Sequence, residues 1–147
     1  FDISHKQGHA MVGACVRFVD GKPEHKSIRH FHIKTLEGQN DYAALQEIVQ
    51  RRYRDLDQLP DLIVIDGGKG QLSAVTAVIA EKLIGTGTEL ISLAKREETV
   101  YSATFREGKV LNQKSLPAQL LIALRDYAHH QAISFHRATA HRQLGVK

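Results

Sequence analysis

The chain has 147 residues, 42% of them hydrophobic, enough for one ordinary core that needs no covalent staples. Its single cysteine, Cys15, excludes an internal disulfide and a cysteine-based zinc cluster, and no run approaches the roughly 20 apolar residues of a membrane-spanning helix. A formal net charge of +4, a pI near 9.3 and nine histidines favour a polyanionic partner such as nucleic acid, and the cysteine usage points to a reducing cytoplasm.

Residues 1–5 start apolar with no lead-in, so the first strand is expected to be cut by the fragment boundary and the domain to begin earlier. Gln7-Gly8 reads as a turn and 11–19 as a strand. Asp20-Gly21, followed by Pro23, is expected to close a second hairpin onto a strand over 27–34, giving an antiparallel meander of three strands. His30 and His32 share one face of that third strand, a metal-compatible spacing; with no third ligand nearby in sequence, they read as solvent-exposed. Asn40 caps a helix whose stripe runs through Ala44, Leu45, Ile48, Val49 and Arg52, with Arg51, Arg52 and Arg54 as its basic end and Pro60 beyond it.

The centre of the chain is 62–71, Leu-Ile-Val-Ile-Asp-Gly-Gly-Lys-Gly-Gln. Four apolar residues, three of them β-branched, predict a strand buried on both faces, with Asp66 at its C-terminal end. Gly67, Gly68 and Gly70 permit a sharp turn or a close approach to a ligand, and Leu72, Val75, Val78 and Ile79 mark a helix leading away. A carboxylate at a strand's C-terminal end stands where open α/β sheets place ligands; a solvated Asp in a Gly turn fits the same residues. Lys69 is followed by Gly70, so the Walker A pattern is absent.

That helix is expected to run to about residue 83, followed by a loop over 85–88, a fifth strand over 90–94, the block Lys95-Arg96-Glu97-Glu98, and a surface hairpin joining 100–105 to 110–111 through Glu107-Gly108. Ser115 and Pro117 open a long final helix with a core stripe of Leu121, Leu124, Ala128, Ala132 and Phe135. A second face carries Ile122, Arg125, Asp126, His129, Ile133 and His136, which suits an active-site wall or an ordinary boundary face. No internal repeat, low-complexity segment or long linker is present.

The resulting β-β-β-α-β-α-β-α order resembles the α/β ribonuclease H-like arrangement, a mixed five-stranded sheet flanked by helices. There the first and fourth strands are neighbours, which would bring Asp2 within about 5 Å of Asp66 and let two carboxylates share a divalent cation. The motifs are more specific. Phe-Asp-Ile-Ser-His-x-Gln-Gly at 1–8, Asp-Tyr-Ala at 41–43, Leu-Pro-Asp-Leu-Ile-x-Ile-Asp-Gly-Gly-Lys-Gly-Gln at 59–71, Leu-Ala-Lys-Arg-Glu-Glu at 93–98, Arg-Asp-x-Ala-His at 125–129 and Phe-His-Arg at 135–137 resemble, in order along the chain, the C-terminal endonuclease domain of UvrC, the nuclease subunit of bacterial nucleotide excision repair.

The resemblance implies one ribonuclease H-like endonuclease domain over 1–147 that makes the incision on the 5′ side of a lesion. It implies a metal-dependent triad of Asp2, Asp66 and His129, with damaged double-stranded DNA and UvrB as partners. It also implies that the family's GIY-YIG domain, UvrB-contacting segment and helix-hairpin-helix pair lie outside this stretch. The family usually carries an acid where this chain has Tyr127, which leaves the triad intact. Hard oxygen ligands on Asp2 and Asp66 suit Mg²⁺ or Mn²⁺; His129, as ligand or general base, must be neutral. Lys69 and Lys95 are candidates to hold phosphate, with the Gly67 and Gly68 amides as weaker ones, and Arg125, Arg137 and Arg142 to follow the DNA backbone; solvation explains each of these side chains as readily. A resolvase- or transposase-type nuclease and a catalytically silent DNA-binding module are the competing readings.

Overall fold

The computed structural model describes residues 1–4, 10–34, 40–55 and 59–143, and of 139–143 the backbone alone. Its elements in chain order are β1 (Asp2–Ser4), β2 (Val12–Cys15), β3 (Phe18–Val19), β4 (Lys22–Pro23), β5 (Arg29–His32), α1 (Asp41–Arg52), β6 (Leu62–Asp66), α2 (Lys69–Leu83), β7 (Glu89–Ala94), β8 (Thr99–Tyr101), β9 (Lys109–Val110) and α3 (Leu116–Gln143). The predicted turn at Gln7-Gly8 and the side chain of Arg142 lie outside the described residues.

A mixed α/β architecture follows. β1, β2 and β5 form an antiparallel sheet in that spatial order, and β6, β7, β8 and β9 form a second. The first is joined to the second at β1 and β6: Phe1 N donates to Val64 O at 2.9 Å and Asp66 N donates to Phe1 O at 3.1 Å. One residue bonded to two partners two apart is the parallel pattern, and it sets Asp2 beside Asp66.

Two expectations need correction. The strand predicted over 11–19 is two strands, β2 ending at Cys15 and β3 resuming at Phe18, and Asp20 and Gly21, both at positive φ (52° and 77°), fold β3 back onto β4 in a two-residue hairpin. Pro23, with no N–H to extend that ladder, is followed by a 3₁₀ turn at His25–Ser27, and β5 begins only at Arg29. The hairpin near 100–111 is not a surface appendage: β8 pairs antiparallel with β7 (Leu93 opposite Val100), and β9 extends the same sheet.

The expected helix starts hold. Asn40 Oδ1 accepts from Ala43 N at 3.1 Å, and Ala44, Leu45, Ile48 and Val49 are buried. Ser115 Oγ accepts from Ala118 N at 3.3 Å, with Pro117 harmlessly in the first turn. Strand alternation then sorts the side chains into two layers. Phe1, Ile63 and Ile65 join Leu45, Ile48, Val49, Val75 and Ile79 under α1 and α2, while Val64, Ile91, Leu93 and Val100 meet Leu121 and Leu124 of α3. Asp66, two residues beyond Val64, and Asp2, one beyond Phe1, therefore fall on the α3 side.

Candidate active site

Asp2 is buried on β1. Its Oδ1 accepts from Ile3 N at 2.8 Å, and its Oδ2 lies 2.8 Å from His129 Nδ1. The imidazole is itself 56% exposed while the Asp2 side chain is 5% exposed, so the ring caps a buried carboxylate and turns its other edge outward. In the neutral ring this bond puts the proton on Nδ1 and leaves Nε2 as a bare base at the surface. His130 is also exposed but points about 100° away along the helix.

Asp66 is pushed up from its ordinary 3.8 to about 7, first by burial and then by the charge of Asp2 and a hydrogen bond with it. Two neighbouring carboxylates repel when both ionise, which favours a proton or a cation on the pair. Its backbone is fixed by the turn that follows: Gly67 takes φ +133°, where a methyl group would also strike the Gln71 side chain, and Gln71 Oε1 accepts from Gly68 N at 3.0 Å. One turn on, Gly70 has no Cβ where the Tyr42 hydroxyl packs, tying the Asp-Tyr-Ala segment of α1 to the start of α2.

The predicted phosphate and backbone contacts fall in different environments. Lys69 is exposed on the first turn of α2, with Nζ 3.1 Å from the Glu107 carboxylate. Lys95 is exposed two residues past Leu93, the β7 partner of Asp66. Arg137 is exposed on α3. Arg125 is buried, 6% exposed: Nη1 bonds Glu98 Oε2, Nη2 lies 3.2 Å from Glu98 Oε1, and Nη2 also lies 3.1 Å from Asp126 Oδ1. Its guanidinium is committed to carboxylates, in place of the open basic face expected for it.

Three partners were invisible to sequence reasoning. Glu98 meets Arg125 through a turn in which Glu97 and Glu98 both adopt positive φ (57° and 48°), a costly backbone state for non-glycine residues. Ser4 Oγ lies 3.0 Å from Nδ1 of the buried His136. Tyr127 sits edge-on to Phe18 and 3.4 Å from His25 Nδ1, so the residue that departs from the expected pattern docks the β3–β4 hairpin. The available signal was spacing: Ser4 follows Asp2 by one strand repeat, and His136 follows His129 by two helix turns.

A profile of the family described as UvrC RNAse H endonuclease domain matches residues 1–133. The chain belongs to this family. It is 45% identical over 141 residues to UvrABC system protein C of Flavobacterium psychrophilum, covering 93% of this chain and 24% of that protein. The same-named protein of Porphyromonas gingivalis is 43% identical over 141 residues with the same coverage, and that of Methanococcus maripaludis is 39% identical over 148 residues, covering 98% of this chain and 28% of its own length. The UvrC-family chain described here thus spans about a quarter of these relatives.

Among the described residues no three His, Cys, Asp or Glu side chains converge as a metal cage. The residues do fit a cation held sparingly: Mg²⁺ commonly keeps several waters and takes one or two carboxylates, and Asp2 with Asp66 is a hard-oxygen pair whose mutual repulsion a divalent ion would relieve.

Proposed function

We propose that this domain is a metal-dependent DNA endonuclease that makes the 5′ incision beside a lesion in nucleotide excision repair, as the ribonuclease H-like part of a UvrC protein acting with UvrB in the cytoplasm. The observation that carries this is the buried Asp2–Asp66 pair capped by His129. The pairing of β1, β2 and β5 with β6 and β7 through Phe1 supports reading those five strands as the mixed sheet of the ribonuclease H-like fold.

In this reading Asp2 and Asp66 hold Mg²⁺ or Mn²⁺, which when bound supplies charge neutralisation on the phosphoryl oxygens and lowers the pKa of a coordinated water. His129 acts as a general base. Asp2 accepts its Nδ1–H, orients the ring and stabilises the imidazolium that forms when Nε2 takes a proton, a carboxylate–imidazole logic shared with hydrolytic triads. Lys95 and Lys69 flank the carboxylates and attract the phosphate, Lys69 by exchanging the exposed Glu107 for the backbone of the DNA. Arg137 lies farther along α3 and supports the duplex; Arg125 holds α3 in place through Glu98.

The test is Mn²⁺- or Mg²⁺-dependent cutting of a pre-nicked lesion duplex by the full-length protein. Incision that needs the metal and disappears in Asp66→Asn is expected. DNA binding without metal-dependent cutting would make the domain a silent module and overturn the proposal.

A further inference from the structure

Where α3 crosses β1 and β2 its buried residues are small, whereas nearer its N-terminus Leu121 and Leu124 pack on β6 to β8. Ala128 and Ala132 are at most 3% exposed in a helix that packs against both strands. An alanine seam lets backbones approach closely but offers few side-chain ridges to interlock with grooves, so it resists rolling and sliding poorly. Arg125 on Glu98 and Phe135 against the rings of His30 and His32 pin the helix to other elements, and its setting on β1 itself depends on side chains of that strand.

Two polar ties cross this seam from a single strand. Asp2 and Ser4, one strand repeat apart, both point to α3, and they meet His129 and His136, which are seven residues apart and so share one face of the helix. The His129 tie is half-open to solvent; the His136 tie is closed, the residue being 7% exposed. A roll of 10° moves a side-chain tip about 6 Å from the helix axis by about 1 Å. That is the scale at which misplacing a reacting group costs on the order of 10²-fold.

We propose that Ser4 and His136 form a positioning pair that sets the roll of α3 on β1 and thereby holds the His129 ring on Asp2 with Nε2 facing the reacting phosphate. In this role the pair acts through His129. This inference rests on the endonuclease reading for its effect on rate, but its structural half stands apart from it.

The experiment compares Ser4→Val with Ser4→Thr in the full-length protein. The two side chains match in shape and differ by the hydroxyl, so packing is held constant while the tie is cut or kept; Ser4→Ala is the second variant should the larger side chain disturb folding. Expected is a kcat for incision lowered about 10- to 10²-fold in Ser4→Val with KM within about twofold, and near-native rates in Ser4→Thr. In a His129→Ala background, Ser4→Val should cost nothing more, because the residue it positions is gone. Independently of activity, nitrogen NMR of the His129 ring should show the Nδ1-protonated form in the parent and Ser4→Thr, and a mixture of tautomers in Ser4→Val. An unchanged ring signature in Ser4→Val, or a full additional loss on top of His129→Ala, would overturn the proposal. If His129→Ala alone retained normal incision, the base assignment would fall, and the ring signature would still decide whether Ser4 positions His129.

Discussion

Two charged clusters lie under α3 one helical turn apart, and they are opposites. At Arg125, a buried cation meets the Glu98 carboxylate at both ends of its guanidinium, with Asp126 closing the remaining side; charge and hydrogen bonds are satisfied within the protein. At His129, two acids are forced together, and burial together with Asp2 drives Asp66 up to about 7 against the weaker opposing charges of the Phe1 amino terminus and Arg125. A satisfied cluster has nothing left to offer a ligand, whereas a frustrated one gains by taking a cation. On the proposed reading the difference separates a structural pin from a binding centre, although each sets a basic side chain against two acids.

The strongest way to break this contrast is Asp66→Asn, which keeps the volume and removes the repulsion. Incision is expected to fall below detection while the metal-free fold gains roughly 1–3 kcal/mol at pH 8, a value discounted for the partial exposure of the group. Chemical denaturation at fixed pH checks the second half; a destabilised variant would mean that the pair is not frustrated. His129→Ala should lower incision about 10²-fold, and His130→Ala should matter little. Parallel rate measurements in Mg²⁺ and Mn²⁺, with circular dichroism to confirm folding, decide it, and equal mild losses would move the role off His129.

On the satisfied side, Glu98→Gln leaves Arg125 buried with only Asp126 for charge and should cost about 3 kcal/mol in stability. A cost near zero in urea unfolding would remove the pin. The pH dependence of metal-free stability sharpens the other side. The folded state holds the Asp66 proton to about pH 7, while the unfolded chain releases it near 3.8, so this contribution is full below pH 4 and is lost as pH rises to 7. Melting temperature without metal should fall across that window, and Asp66→Asn should flatten it. The smallest effect is expected at Lys69→Gln: its pair with Glu107 is exposed at both ends and worth at most about 0.5 kcal/mol, so stability should barely move while DNA affinity falls.

The frustrated cluster was the more legible of the two in the sequence. Asp66 closes an apolar β-branched run before a Gly turn, and Asp2 sits one residue into an opening strand, so period-2 alternation and one strand pairing suffice to bring them together. Asn40, Ser115 and the α1 stripe were equally legible, because caps and helix periodicity are local. The satisfied cluster was not, since Glu98 reaches Arg125 only through two consecutive left-handed residues that no local propensity favours. For the same reason the burial of Arg125 and His136, on a face that suited an active-site wall or an ordinary boundary face, was not legible: their partners Glu98 and Ser4 are 27 and 132 residues away. The break at Asp20-Gly21 was readable as a turn, but its return onto Lys22–Pro23 instead of β5 depends on where the ladder runs out.

The central claim is that Asp2 and Asp66 form an acid pair that takes up a divalent cation, and calorimetric titration of Mn²⁺ into the full-length protein and its Asp66→Asn variant tests it without relying on catalysis. The account predicts one binding event in the parent at pH 8, accompanied by proton release that grows as pH is lowered toward 7, and its loss in the variant. Identical isotherms for the two proteins would contradict it.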